Sequence, residues 1–153
     1  MTPTYKQLLV TDISHYRDLM RLFAKVFEDN SSYQGAIPDE NYIKKFLSDS
    51  SHIILVAIDK NDVVLGGLVA YELKKFEQAR SEIYIYDLAV LASHQRKGIG
   101  TTLLMNLKRI ARERGAYTIF VQADKKDKEA LSFYRSLNST EIETYNFDIE
   151  VGM

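Results

Sequence analysis

The sequence predicts a mixed α/β (α+β) fold, a central sheet flanked by helices, on three observations. Segments with apolar residues at helical spacing alternate with short β-branched runs. One run, Glu82 to Val90 (EIYIYDLAV), is apolar on both faces, as a strand inside a covered sheet must be. The 153 residues, 46% of them apolar, suffice for one core, so residues 1–153 are read as a single domain.

The elements follow in order. Tyr5 to Val10 is a short strand, and Thr11 or Asp12 caps a helix running to about Glu28. That helix carries Ile13, Tyr16, Leu19, Met20, Phe23 and Phe27 as its apolar stripe. Asn30 to Ile37 is small and polar and reads as a loop; Pro38-Asp39 opens a second helix to about Leu47. His52–Asp59 and Val63–Glu72 are strands joined through Lys60-Asn61-Asp62 as a hairpin. After the strand Glu82–Val90, Ile99, Leu103, Leu107, Ile110 and Ala111 repeat at helical spacing until Gly115 ends the helix. Tyr117 to Ala123 is a further buried strand, Asp127 to Leu137 a helix, and Thr140 to Ile149 one or two last strands.

Composition excludes several chemistries. With no cysteine there is no disulfide, thiolate metal site or cysteine nucleophile. His15, His52 and His94 are far apart and show no metal-ligand spacing, so no metal is expected. No apolar window is long enough to span a membrane and no signal-peptide pattern opens the chain, so a cytoplasmic protein without membrane partners is expected. No basic stripe interleaves with the tyrosines, which argues against nucleic acid. The net charge is −1, but it is unevenly spread. Leu91 to Arg114 carries six bases against Glu113, whereas Glu28 to Asp49 and the tail after Ser139 are acidic. Such districts suit an anion in one place and a cation in another.

The strongest local signal is the junction Gln95-Arg96-Lys97-Gly98-Ile99-Gly100-Thr101. Gly98 and Gly100 let a ligand approach the backbone, the helix start offers unpaired N–H groups, and Arg96 and Lys97 add positive charge. A phosphate or pyrophosphate is the natural guest; the spacing fits neither the nucleotide phosphate loop nor the dinucleotide glycine pattern. The plain alternative is a glycine turn that merely starts a helix. A second signal is Asp87, a carboxylate inside a strand that otherwise buries both faces. Such a group costs several kcal/mol unless it is paired or serves a site. A carboxylate there can accept a proton or attract a cation; Glu82, at the start of the strand, is the second candidate.

Gln95-x-x-Gly98-x-Gly100 between a strand and a helix resembles the acetyl-CoA pyrophosphate loop of the GCN5-related N-acetyltransferases, as does the order of elements over nearly the whole chain. The resemblance implies acetyl-CoA as cosubstrate, with Gln95, Arg96, Lys97, Gly98, Ile99, Gly100 and Thr101 at its pyrophosphate. It also implies that the backbone of Leu88, Ala89 and Val90 meets the pantetheine arm. In Ser132-Phe133-Tyr134-Arg135, Tyr134 matches the family's tyrosine near the CoA sulfur, where a phenol can supply a proton to the departing thiolate. The family's usual glycine after this segment is Asn138 here, a residue that tolerates a left-handed helix cap.

The stretch Lys75 to Val90 is similar to the gentamicin-type aminoglycoside 3-N-acetyltransferases, as are Gly115-Ala116-Tyr117, Val121 to Asp124 and Phe147-Asp148-Ile149. That likeness implies acetylation of an aminoglycoside 3-amine by direct transfer in a ternary complex. It places Asp87, Asp124 and Asp148 around the sugar amines, with Glu77 and Glu82 as additions, and suggests a homodimer. Acetylation removes a positive charge from the drug, which is how this family defeats its binding to ribosomal RNA. Two other readings stay open at this point: an acetyltransferase for polyamines or peptide N-termini, and a non-catalytic acyl-CoA-binding module.

Overall fold

Antiparallel pairing carries the chain from β1 (Thr4–Gln7) through β2 (His52–Ile58) and β3 (Val64–Lys74) to β4 (Ser81–Val90) in the computed structural model, which describes residues 2–152. Strand β5 (Ala116–Val121) then adds parallel to β4, giving a five-stranded mixed sheet of order β1-β2-β3-β4-β5. A parallel neighbour needs a crossover, and α4 (Ile99–Arg114) supplies it. The other helices are α1 (Ile13–Val26), α2 (Asn30–Gln34), α3 (Glu40–Ser48) and α5 (Lys128–Arg135). The chain divides into two compact units, the first ending at Val121 and the second, which holds α5, beginning at Gln122.

Both faces of the sheet in the first unit are covered, and β2 shows why its sequence is apolar throughout. Ile53, Leu55 and Ala57 join Leu103, Leu107 and Ile110 of α4 in one core, whereas Ile54, Val56 and Ile58 join Leu19 and Phe23 of α1 in the other. Gly67 of β3 lies beneath α1: a Cβ there would come 2.6 Å from Leu19 Cδ1 and 2.7 Å from the Leu55 carbonyl oxygen. Only glycine lets helix and sheet approach this closely.

Several helix and turn expectations hold. The 60–62 segment turns with Asp62 at φ 65°, while Asp59 Oδ1 accepts the N–H groups of Asn61 and Val63. Gly115 closes α4 at φ 75°, and Asn138 takes the left-handed conformation at φ 57°. Other expectations are corrected. Asp12 is the α1 N-cap residue but makes no capping bond; its carboxylate instead accepts from Leu9 N–H at 2.7 Å and from Lys6 Nζ at 2.8 Å. The segment expected as a loop from Asn30 starts with α2, because Asp29 accepts the Ser32 N–H as an N-cap. Residues 139–152 contain no strand among the described residues. Tyr145, Phe147, Ile149 and Val151 alternate as in a strand but are 82–99% exposed, so the pattern has no neighbouring ladder to complete it.

Candidate active site

Strand β4 organises the site through a change of register. Val69 of β3 pairs with Asp87, but Ala70 pairs with Ile85, so Tyr86 is the extra residue of a bulge. Ile83 and Ile85 consequently face the α4 core, whereas Ala89 faces the α1 core, and Asp87 joins the α1 side. The bulge coincides with the end of β5 pairing. The last β4–β5 pair is Ile85↔Val121, while β4 stays paired with β3 as far as Gly66↔Val90. From Asp87 to Val90, β4 therefore has a ladder partner on one edge only.

The strand leads directly into the glycine loop. A single 3-10 turn at Ala92–His94 follows, and Gln95 Nε2 donates to the Val90 carbonyl at 3.0 Å, tying the loop to the strand end. Arg96 at φ 60° and Gly98 at φ 83° both take the left-handed conformation. For a non-glycine residue such as Arg96 this costs on the order of 1 kcal/mol, a strain that clusters at functional sites. Thr102 is bonded from N–H to the Gly98 carbonyl at 3.0 Å, so helix geometry leaves the N–H groups of Ile99, Gly100 and Thr101 without intrahelical acceptors. A Cβ on Gly98 would meet nothing within 4 Å, and Arg96 and Lys97 are exposed beside it. The positive end of α4 and two cations thus border an open surface.

Asp87 is half-buried, and its Oδ2 accepts the Tyr33 hydroxyl at 2.6 Å. No other described residue donates a hydrogen bond to this carboxylate. Burial pushes the Asp87 carboxyl up, the Tyr33 hydrogen bond draws it back, and the Asp29 carboxylate pushes it up again; the net direction is upward. The Tyr33 phenol is itself raised by burial and by its bond to Asp87, so it stays protonated as the donor. Tyr33 is set in place by α1: its ring lies 5.6 Å from Phe23 and 5.9 Å from Phe27, which stack on each other at 5.5 Å. Glu28, at φ 52°, ends α1 in a Schellman turn, with the Asp29 N–H bonded to the Ala24 carbonyl and the Glu28 N–H to that of Lys25. This reversal brings α2 back toward the sheet. Tyr86 meets Tyr71 edge-on at 6.0 Å and Tyr84 at 5.9 Å, so aromatic rings extend from Asp87 along β3 and β4.

The remaining predicted residues are distributed unevenly. Leu88, Ala89, Val90 and Gln95 to Thr101 follow Asp87 along the chain and lie at its end of β4. Glu82 lies five residues back along β4, roughly 17 Å at strand rise. It accepts the Tyr117 hydroxyl at 3.0 Å and lies 3.8 Å from Lys75 Nζ, which also faces Glu77 at 3.5 Å. Both glutamates therefore belong to the β3–β4 turn end. Asp124, Tyr134 and Asp148 belong to the second unit. There Asp124 Oδ1 accepts the Lys126 N–H, Tyr134 on α5 meets Phe133 at 5.2 Å, and Asp148 accepts from Asn146 Nδ2 at 3.3 Å. Among the described residues no cluster of His, Asp or Glu side chains could hold a metal ion, and no helix is long and apolar enough to cross a membrane. Tyr33 and Asp29 were not singled out from sequence. The local signal was the cap pattern Asp29-x-x-Ser32 followed by a lone aromatic in a polar stretch.

Comparison with known proteins agrees with this geometry. The model of the acetyltransferase (GNAT) family matches residues 16–138. An aminoglycoside acetyltransferase from an uncultured soil metagenomic sample is 42% identical, with 99% of this chain and 100% of that one covered and a TM-score of 0.95. A second aminoglycoside acetyltransferase from such a sample, solved in complex with sisomicin, is 34% identical over 99% of this chain and 97% of its own, with a TM-score of 0.92. The ribosomal-protein-alanine N-acetyltransferase of Brucella melitensis biovar Abortus 2308 shares the fold at 19% identity, 98% and 99% coverage and a TM-score of 0.74. No curated protein matches. With its strand, glycine loop and helix in this arrangement, the chain belongs to the GNAT acetyltransferase family.

Proposed function

We propose that this acetyltransferase transfers an acetyl group to the 3-amino group of gentamicin-type aminoglycosides, conferring resistance. The observation that carries the reading is the chain-long likeness, at 42% and 34% identity, to two aminoglycoside acetyltransferases. GNAT enzymes use acetyl-CoA, and the residues fit it: an uncommitted helix start, an open glycine and two exposed cations suit its pyrophosphate. Acetyl-CoA supplies the acetyl group and leaves as its thiol.

The roles assigned to the chain's own residues follow. Ile99, Gly100 and Thr101 offer N–H groups to the pyrophosphate, Arg96 and Lys97 add charge, and Gln95 keeps the loop on Val90. Leu88, Ala89 and Val90 present backbone to the pantetheine arm on the edge that β5 leaves open. A backbone N–H at Leu88 or Ala89 steadies the oxygen that gains charge, a contribution of about 10²-fold in rate. Asp87 takes the proton as the amine attacks, directly or through water. Burial favours its protonated form and so makes it a better base than an exposed carboxylate. Tyr134, assigned by the family resemblance, holds the proton that the leaving sulfur takes up. Glu77, Glu82, Asp124 and Asp148 attract further ammonium groups; the enzyme works in the cytoplasm and, by the same resemblance, as a homodimer, an assembly that sedimentation would read directly.

NMR of the acetylated product tests the regiochemistry. The proposal expects a single acetyl group on the 3-nitrogen of gentamicin; acetyl on another nitrogen refutes the 3-N assignment. Turnover confined to spermidine or a peptide would instead give the acceptor as a polyamine or an N-terminus. CoA binding without any turnover would make the chain a binding module.

A further inference from the structure

The Asp87 carboxylate has two unlike oxygens. Oδ2 is held by a phenol from another element, 54 positions away in sequence, whereas Oδ1 receives no hydrogen bond from any described residue. The phenol is held in place, because its ring packs against the stacked pair Phe23 and Phe27 and the Schellman turn at Glu28 fixes the approach of α2. We propose that Tyr33 is a positioning residue for Asp87: it holds Oδ2 and leaves Oδ1 as the oxygen that receives the acceptor's proton. The inference rests on Asp87 being the base.

A carboxylate can rotate about its last torsion, and a single directional bond of 2.6 Å to one oxygen restrains that freedom. The same bond stabilises the ionised form, which keeps the base ready against the burial and the negative neighbour that oppose ionisation. The titratable groups around Asp87 and Tyr33 come from three elements: the cap residue Asp29 beside α2, Tyr71 from β3, and Tyr84 and Tyr86 from β4. Of all of these, Tyr33 alone donates a hydrogen bond to the carboxylate. Tyr33 therefore works in the opposite direction to Asp29, whose charge raises the carboxyl.

The test is Tyr33→Phe, which removes one oxygen and keeps the ring packed against Phe23 and Phe27. Two readouts are taken: the pH profile of kcat/KM for gentamicin acetylation, and the titration of the Asp87 carboxyl carbon by NMR without substrate. The expected result is an acidic limb and a carboxyl titration both moved to higher pH, with kcat lowered roughly tenfold and KM little changed, the scale of one charge-assisted hydrogen bond. An unchanged profile and titration, with Asp87→Asn inactive, would overturn the role of Tyr33 and leave the base assignment standing. A loss of rate with unchanged titration and a lowered Tm would make Tyr33 a structural residue only and would equally overturn it. Wild-type turnover by Asp87→Asn would show that the base assignment itself fails.

Discussion

Val69 pairs with Asp87 across β3 and β4, whereas its neighbour Ala70 pairs with Ile85, leaving Tyr86 unmatched between them. That one-residue slip decides which side of the sheet Asp87 faces. Without it, Asp87 would continue the Ile83–Ile85 face into the α4 core, where an ionised carboxylate has no partner. With it, the carboxylate reaches Tyr33 at the point where β4 loses its β5 ladder.

Asp87→Asn separates activity from stability. Loss of the base should lower kcat by about 10²-fold or more. The stability effect has the other sign. A carboxyl whose folded-state pKa is raised contributes its stability below the unfolded pKa and loses it as pH rises through the folded one. At neutral pH its charge is therefore a cost, and asparagine keeps an oxygen for Tyr33. Thermal unfolding at pH 7 should give a Tm equal to or above that of the wild type.

The same direction sets the activity profile. Because the base must be ionised and its carboxyl lies above the ordinary Asp range, turnover should rise with pH along a limb displaced upward from that range. Initial rates of thiol release across a pH series measure it. A limb at or below the ordinary Asp value would contradict the burial argument.

Gly98→Val probes the cofactor loop. A left-handed backbone at φ 83° strains any L side chain by about 1 kcal/mol, but its Cβ meets nothing within 4 Å, so the fold should survive. CoA, however, must approach this backbone, and calorimetric titration should show affinity weakened by roughly 10-fold or more, the scale of lost backbone hydrogen bonds to a charged group. Wild-type affinity would refute the placement of the pyrophosphate.

Glu72 controls acid stability away from the site. It accepts from Ser81 Oγ at 2.6 Å and from Arg114 at 2.9 Å, joining β3, β4 and the last turn of α4. Burial raises the Glu72 carboxyl, but the Ser81 and Arg114 bonds outweigh it and hold it below the ordinary value. A depressed carboxyl gives stability that is present above the unfolded pKa and is lost as pH falls through the folded one. Glu72→Gln should cost roughly 1–3 kcal/mol at pH 7, and the difference from wild type in denaturant unfolding should shrink below about pH 4.

The glycine loop and the strand before it were legible because each carries a local signal: two glycines at a helix start, and a charged residue in an apolar run. Gly115 and Asn138 were legible for the same reason, since a left-handed cap is a property of the residue. Tyr33 was not, because its partner is 54 positions distant and no local pattern encodes a phenol meeting a carboxylate. The bulge at Tyr86 was hidden by the very feature that identified β4. In a strand apolar on both faces, the alternation that would reveal a slip is absent. The segment 140–149 misled in the opposite way, its period-two pattern describing a strand without a ladder.

The central claim is tested most directly by free-thiol release from acetyl-CoA with the purified protein and gentamicin, run beside spermidine and a short peptide. The account predicts turnover with gentamicin, a product heavier by one acetyl group, and no comparable rate with the other two acceptors. Turnover with spermidine or peptide and none with gentamicin would contradict it.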